Sequence, residues 1–228
     1  MKYSILSILL AFFALTSCQK KVIPNNSNSK ISYLALGDSY TIGESVSTDL
    51  RWPVQLAQKL NNGGFELNEP VIVAKTGWTT DELNAAIDRS NLEKEYDIVS
   101  LLIGVNNQYR GKPVGEFKPE FSALLDRAIG FAGGNKDKVF VVSIPDYGVT
   151  PFAQSRNPMK ISLEIDEYNA ASEEICKAKG VTYIDITPIS REASNKPNYV
   201  AGDGLHPSGD MYTAWVEKIT PIVIQKLK

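Results

Sequence analysis

Residues 31–39 read Ile-Ser-Tyr-Leu-Ala-Leu-Gly-Asp-Ser, a largely apolar run that stops at a glycine and is followed at once by two polar residues. Six residues from Ile31 to Leu36 are too few for a helix, and near-continuous apolar character suits a strand buried on both faces. Four further runs repeat the pattern: Val71 to Ala74, Ile98 to Ile103, Val139 to Ile144 and Val181 to Ile186. Five buried strands are implied.

The segments between them carry helical spacing instead. Trp52, Leu56 and Leu60 recur every four residues, with Pro53 placed where a first turn tolerates it. Thr79 with Glu82 three positions on is a capping-box signature. Phe117, Phe121, Leu124, Leu125 and Ala128 form an apolar stripe that stops at Gly133-Gly134, and Ile161, Ile165, Tyr168 and Ile175 form another ending at Gly180. A last helix is predicted from a Ser208 cap through Met211, Trp215, Ile219 and Val223, with Pro221 expected to kink or restart it.

Strand followed by helix, repeated five times, predicts an α/β fold in three layers: a five-stranded parallel sheet with helices on both faces. At 228 residues with 43% hydrophobic content, the chain suits one globular domain, assigned to residues 31–228. In sheets of this kind ligands sit beyond the carboxyl ends of the strands. Ser39 follows the first strand, Gly77 the second and Asn106 the third, while His206 lies between the fifth strand and the last helix. All four are thus predicted at one sheet edge.

Those residue types suit nucleophilic catalysis. A serine hydroxyl becomes a useful nucleophile only when a base takes its proton, and imidazole does this near neutral pH. The chain has a single histidine, so His206 is the sole candidate for that base. Asp203, three residues earlier in Asp203-Gly204-Leu205-His206-Pro207, can accept a hydrogen bond from the other ring nitrogen and fix the tautomer. The backbone N–H groups of Ser39 and Gly77 and the side-chain amide of Asn106 are the right donors for an oxyanion.

Taken in order, Gly37-Asp38-Ser39, the glycine of Lys75-Thr76-Gly77-Trp78, Gly104-Val105-Asn106-Asn107 and Asp203 to Pro207 resemble the four blocks of the SGNH (GDSL-type) hydrolases. The likeness spans nearly the whole chain beyond its N-terminus. It implies a flavodoxin-like sheet, ester hydrolysis without a metal or cofactor, and the catalytic and oxyanion roles just given to Ser39, Gly77, Asn106, Asp203 and His206. The third block usually reads Gly-x-Asn-Asp, and Asn107 departs from it; because the oxyanion donor maps to Asn106, the departure bears on loop packing or substrate contacts. A small ester is the implied partner, with acyl or acetyl esters of lipids or carbohydrates all within the family's range.

Candidates for substrate contacts are Tyr40 and Trp78 beside the motif residues, Asn107, and Tyr147. Tyr147 opens the segment Asp146 to Pro158, which also carries Phe152 and Arg156 and is long enough to form a pocket wall or lid. Local packing is the competing explanation for these aromatics. A noncatalytic protein that binds an acylated or glycan ligand in the same cleft is the rival function.

Other chemistries lack their residues. The G-x-S-x-G elbow is absent, since Gly37-Asp38-Ser39-Tyr40-Thr41 has no second glycine. No P-loop or G-x-G-x-x-G fingerprint occurs, and one histidine with two cysteines is poor material for a zinc site. With net charge −2 and basic residues scattered along the chain, nucleic acid is not an expected partner.

The N-terminus reads separately. Lys2, the apolar stretch Tyr3 to Leu15, and small residues before Cys18 have the layout of a secretory signal, and Leu15-Thr16-Ser17-Cys18 resembles a bacterial lipobox. Residues 1–17 are therefore expected to be a lipoprotein signal peptide and Cys18 a lipidation site. Residues 18–30 would be a flexible tether holding the protein at the cell envelope. An ordinary cleaved signal with an incidental cysteine is the alternative. With Cys18 acylated, Cys176 is the only thiol left; it falls in an amphipathic helical pattern and reads as a small buried hydrophobe.

Overall fold

The computed structural model describes residues 30–228. The expected signal peptide, the expected lipidation site at Cys18 and the expected tether up to residue 29 lie outside the described residues.

The chain runs β1 (Tyr33–Gly37), α1 (Ser39–Ile42), α2 (Trp52–Asn62), β2 (Val71–Ala74), α3 (Thr80–Arg89), β3 (Ile98–Leu102), α4 (Val105–Tyr109), α5 (Val114–Phe131), β4 (Val139–Val142), α6 (Pro158–Lys179), β5 (Thr182–Ile184), α7 (Thr187–Arg191) and α8 (Gly209–Lys226). The five strands form one parallel sheet in the order β2-β1-β3-β4-β5, the flavodoxin-like arrangement. Helices cover both faces. α2 packs against α8 on one side, and α5 packs against α3 and α6 on the other.

Every residue of β1, β3 and β4 is buried, which accounts for their unbroken apolar runs. Ser100 is the polar exception in β3, and its hydroxyl is paired with Tyr33 Oη at 2.9 Å. On the α2–α8 face, Trp52 meets Phe140 of β4 edge-on at 6.4 Å, and Tyr212 stacks edge-on to Trp215 at 5.0 Å. Phe117, Phe121 and Tyr168 join α5 to α6 on the opposite face, with ring centroids 4.6–5.2 Å apart. Cys176 is fully buried among these helices, as expected.

Two strands are shorter than the apolar runs suggest. β5 ends at Ile184 because Ser143 Oγ captures the N–H groups of Ile186 (2.8 Å) and Thr187 (3.1 Å). β4 ends at Val142, and the Ile144 N–H donates to Asn169 Oδ1 of α6 at 2.8 Å. The expected restart at Pro221 does not occur, since α8 continues through it. Pro221 lies on the exposed side of that helix, where water can satisfy the carbonyl that proline leaves without a donor. No helix among the described residues is long and apolar enough to cross a membrane.

The direction of chain progression reverses between β1 and β3, so a crevice opens beyond their carboxyl ends. Gly37 and Leu102 lie side by side there. The loops that follow them carry Ser39 and Asn106.

Candidate active site

β1 can end so close to β3 only because residue 37 has no side chain. A Cβ there would lie 2.2 Å from Thr41 Oγ1 and 2.5 Å from the Leu102 carbonyl oxygen. Asp38 then caps α1, its Oδ1 accepting from the Tyr40 N–H at 3.1 Å. As the first residue of that helix, Ser39 keeps an N–H with no intrahelical acceptor. Its side chain is buried, with only 4% of the residue exposed.

Asp38 is fully buried, and its Oδ2 has no hydrogen-bond partner among the described residues. Burial pushes its carboxyl up to about 7, although the backbone N–H groups of Tyr40, Asp38 and Gly104 favour the charged form. A carboxyl whose folded pKa lies above its unfolded value holds a proton that the unfolded chain has already lost, so its contribution falls as pH rises from about 4 towards 7. Asp38→Asn retains an oxygen for the Tyr40 N–H and removes the titration. Its stability relative to the native protein should rise by a few kcal/mol between pH 4 and pH 7.5, measured by urea unfolding; a constant difference would contradict the assignment.

The β2 and β3 loops are tied together. Asn106 Nδ2 donates to the Trp78 carbonyl at 3.0 Å, and Arg110 Nη2 donates to the Gly77 carbonyl at 2.6 Å while also pairing with Glu82 at 3.0 Å. Gly77 has φ +88°, and its N–H makes no backbone hydrogen bond among the described residues. Gly104, which caps α4, has φ +128°, and a Cβ on it would lie 2.8 Å from Phe117 and 2.9 Å from Ile144. Both conformation and packing therefore demand glycine just before Asn106.

Asn107 lies elsewhere than expected. It is fully buried, accepts from the Thr80 N–H at 3.1 Å and donates to Thr80 Oγ1 at 2.7 Å. It ties α4 to the start of α3 and does not line the cavity described below. One residue turns a helix by about 100°, so Asn106 and Asn107 face different ways. Trp78 is likewise half-buried against the core and outside the cavity lining; its carbonyl, not its indole, is what holds Asn106.

His206 sits on the loop before α8, anchored by the Ala201 N–H donating to the His206 carbonyl at 2.8 Å. Its Nδ1 lies 2.6 Å from Asp203 Oδ2. With a carboxylate accepting there, Nδ1 carries the proton and Nε2 is the free acceptor. Asp203 Oδ1 accepts from the N–H groups of Leu205 (2.9 Å) and His206 (3.0 Å), and Ser45 Oγ donates to Oδ2 at 2.6 Å. Partial burial works against the charge of Asp203, but the bonds from Ser45, the His206 ring and the two amides outweigh it and hold the carboxyl well below the usual range. The Tyr40 ring lies edge-on to His206 at 5.8 Å.

These separate loops converge on one cavity of about 200 Å³ lined by Ser39, Gly77, Asn106 and His206. Tyr40, Tyr147 and Phe152 line it as well. No hydrogen bond joins Ser39 Oγ to the imidazole among the described residues; catalytic contacts of this type are often long without substrate. Tyr109, Val105, Thr76 and Leu205 complete the lining, and none of them is among the site residues to which the sequence pattern points. Tyr109 had a readable signal, being three residues after Asn106 and so on the same helical face. Arg156 lies 4.3 Å above the Phe152 ring and 5.3 Å from that of Tyr109, so the segment after β4 forms a wall. Among the described residues, no three His, Cys, Asp or Glu side chains lie close enough together to hold a metal ion.

The fold recurs in solved structures of low sequence identity. TesA superimposes with a TM-score of 0.66 at 16% identity, covering 86% of this chain and 99% of its own. The lipase/acylhydrolase from Enterococcus faecalis gives 0.67 at 20%, covering 86% and 96%. Axe2, an acetylxylan esterase from Geobacillus stearothermophilus, gives 0.64 at 17%, again covering 86% and 96%. No relative was found among curated proteins. The GDSL-like Lipase/Acylhydrolase family model matches residues 35–214, which contain the end of β1, all the cavity loops and the first turns of α8, and the chain therefore belongs to that family of hydrolases.

Proposed function

We propose that this protein is a serine esterase that cleaves short-chain carboxylic esters through an acyl-enzyme on Ser39. The observation that carries the reading is the meeting of Ser39, Gly77, Asn106 and His206 around one small cavity, with His206 already paired to Asp203 at 2.6 Å. In the proposed reaction Ser39 Oγ attacks the ester carbonyl as its proton passes to His206 Nε2. The carbonyl oxygen becomes an oxyanion held by the N–H groups of Ser39 and Gly77 and by the Asn106 amide, each such donor being worth ~10²–10³ in rate. Collapse breaks the bond to the alcohol, which leaves with the proton from His206. Water then attacks the acyl-enzyme by the same path, releasing the acid and restoring Ser39.

Size favours a short acyl group. The cavity is small, about 200 Å³, and is walled by the rings of Tyr40, Tyr109, Tyr147 and Phe152, so a short acyl chain suits it better than a long one. The alcohol would extend past Tyr109 and Phe152 to solvent, which leaves room for a carbohydrate or glycerol-based leaving group. Acetyl and butyryl p-nitrophenyl esters should exceed the dodecanoyl ester in kcat/KM by at least about tenfold. Equal rates across the series would contradict the size argument. An inert protein that is still stabilised thermally by an acylated ligand would favour a binding role instead.

The N-terminal reading completes the proposal: residues 1–17 direct export, Cys18 carries the lipid, and residues 18–30 tether the domain at the cell envelope. Its support is the apolar run ending in Leu15-Thr16-Ser17-Cys18. Palmitate labelling in cells should be lost in Cys18→Ala; retained label would refute the anchor.

A further inference from the structure

Ser45 is the only non-glycine among the described residues with a positive φ, at +66°. The chain has just left α1 at Gly43, itself left-handed at φ +70°, and a second left-handed residue follows two positions later. A side chain in that region is strained. Backbone hydrogen bonding does not explain it, since neither the N–H nor the carbonyl of Ser45 makes a backbone bond among the described residues. Its hydroxyl does make a bond, to Asp203 Oδ2 at 2.6 Å, across 158 residues of sequence.

That oxygen is the one His206 Nδ1 also uses, at the same 2.6 Å. The loop that carries Ser39 is thus pinned, by one strained residue, to the carboxylate that orients the histidine. We propose that Ser45 is a positioning residue: it fixes Asp203 against the Ser39 loop and shares the charge of Oδ2, so that His206 is oriented without being over-stabilised as imidazolium. This inference rests on the reading of Ser39, His206 and Asp203 as the reacting set.

Sharing the charge has a definite sign. With two donors on Oδ2, less negative charge is available to stabilise a protonated ring. Removal of the Ser45 hydroxyl should therefore ease protonation of His206. Of the other ionisable groups nearby, Tyr40 from the segment after β1 lies edge-on to His206 at 5.8 Å, Tyr212 from α8 feels the charge of Asp203, and Asp38, Glu44 and Arg51 act on Tyr212 in turn. They are unchanged by a substitution at residue 45.

Two variants separate positioning from mere support. Ser45→Gly suits the left-handed backbone better than serine and deletes the donor. Ser45→Asn tolerates that backbone and keeps a donor in its amide. Because the chain has one histidine, its ¹⁵N imidazole resonances titrate without overlap in the purified protein. For Ser45→Gly we expect an unchanged or higher Tm, a titration midpoint about 0.5 pH unit above wild type, and kcat about tenfold lower with KM within twofold, the scale of one hydrogen bond to a charged group. The acidic limb of kcat/KM should move upward with the midpoint, and Ser45→Asn should recover most of both. An unmoved midpoint in Ser45→Gly, with wild type active, would overturn the role of Ser45 and leave the esterase reading intact. A raised midpoint in a wild-type background that hydrolyses no ester would uphold the coupling and overturn the esterase reading.

Discussion

Ser39→Ala and His206→Ala are each expected to lower kcat for p-nitrophenyl acetate by ~10⁴–10⁶-fold, and the double variant to lower it little further. The reason is that neither group works alone. Without the Ser39 hydroxyl no acyl-enzyme forms, and His206 has no proton to accept. Without the imidazole, the serine must lose its proton unaided at neutral pH, far below the pH at which a hydroxyl ionises. No other histidine exists to substitute. The residual rate should reflect the oxyanion donors and binding, which are untouched in either variant. Both proteins should fold. Ser39 lies at the start of a four-residue helix whose cap is Asp38, and the loop of His206 is held, apart from the ring, by the Ala201 N–H donating to the His206 carbonyl and by the His206 N–H donating to Asp203 Oδ1. Initial rates with thermal unfolding as a control make the measurement, and losses that multiply in the double variant would show that the two residues act independently.

Asp203→Asn is expected to lower kcat by ~10³–10⁴-fold with KM little changed. Local geometry makes the outcome specific. The Leu205 and His206 N–H groups both donate to Oδ1, so in the asparagine variant the amide oxygen takes that place. The NH₂ group is then left where Oδ2 stood, facing Nδ1 of His206 and the Ser45 hydroxyl. Two donors now face each other unless the ring gives up its Nδ1 proton. The proton moves to Nε2, the atom that must accept from Ser39, and the base is disabled with its position nearly intact. A loss smaller than about tenfold would mean that His206 is held by another group and that Ser39 and His206 form a working dyad.

Much of this arrangement is legible from local pattern. The run from Ile31 to Leu36 and its four counterparts announce buried strands, and the alternation with 3.6-period stripes leads to the parallel sheet. Once that sheet is assumed, Ser39, Gly77, Asn106 and His206 must share an edge. What local pattern misses is decided by contacts far apart in sequence. Ser143 and Asn169 take backbone N–H groups that would otherwise extend β4 and β5, and nothing near residue 186 announces a partner 43 positions away. Asn107 and Trp78 adjoin motif residues, but adjacency in sequence is not adjacency in space. The short helix α4 turns Asn107 inward to Thr80 while Tyr109 joins Asn106 at the cavity. Ser45, set among polar residues with no motif of its own, could be connected to Asp203 only by the fold.

The esterase proposal stands or falls on Ser39 being a nucleophile activated by His206. It is tested most directly by treating the purified protein with a fluorophosphonate at pH 7.5 and locating the adduct by peptide mass spectrometry. One adduct per chain on Ser39 is expected, absent from Ser39→Ala and formed orders of magnitude more slowly in His206→Ala. No adduct on a folded protein, or one that forms at an undiminished rate without His206, would contradict it.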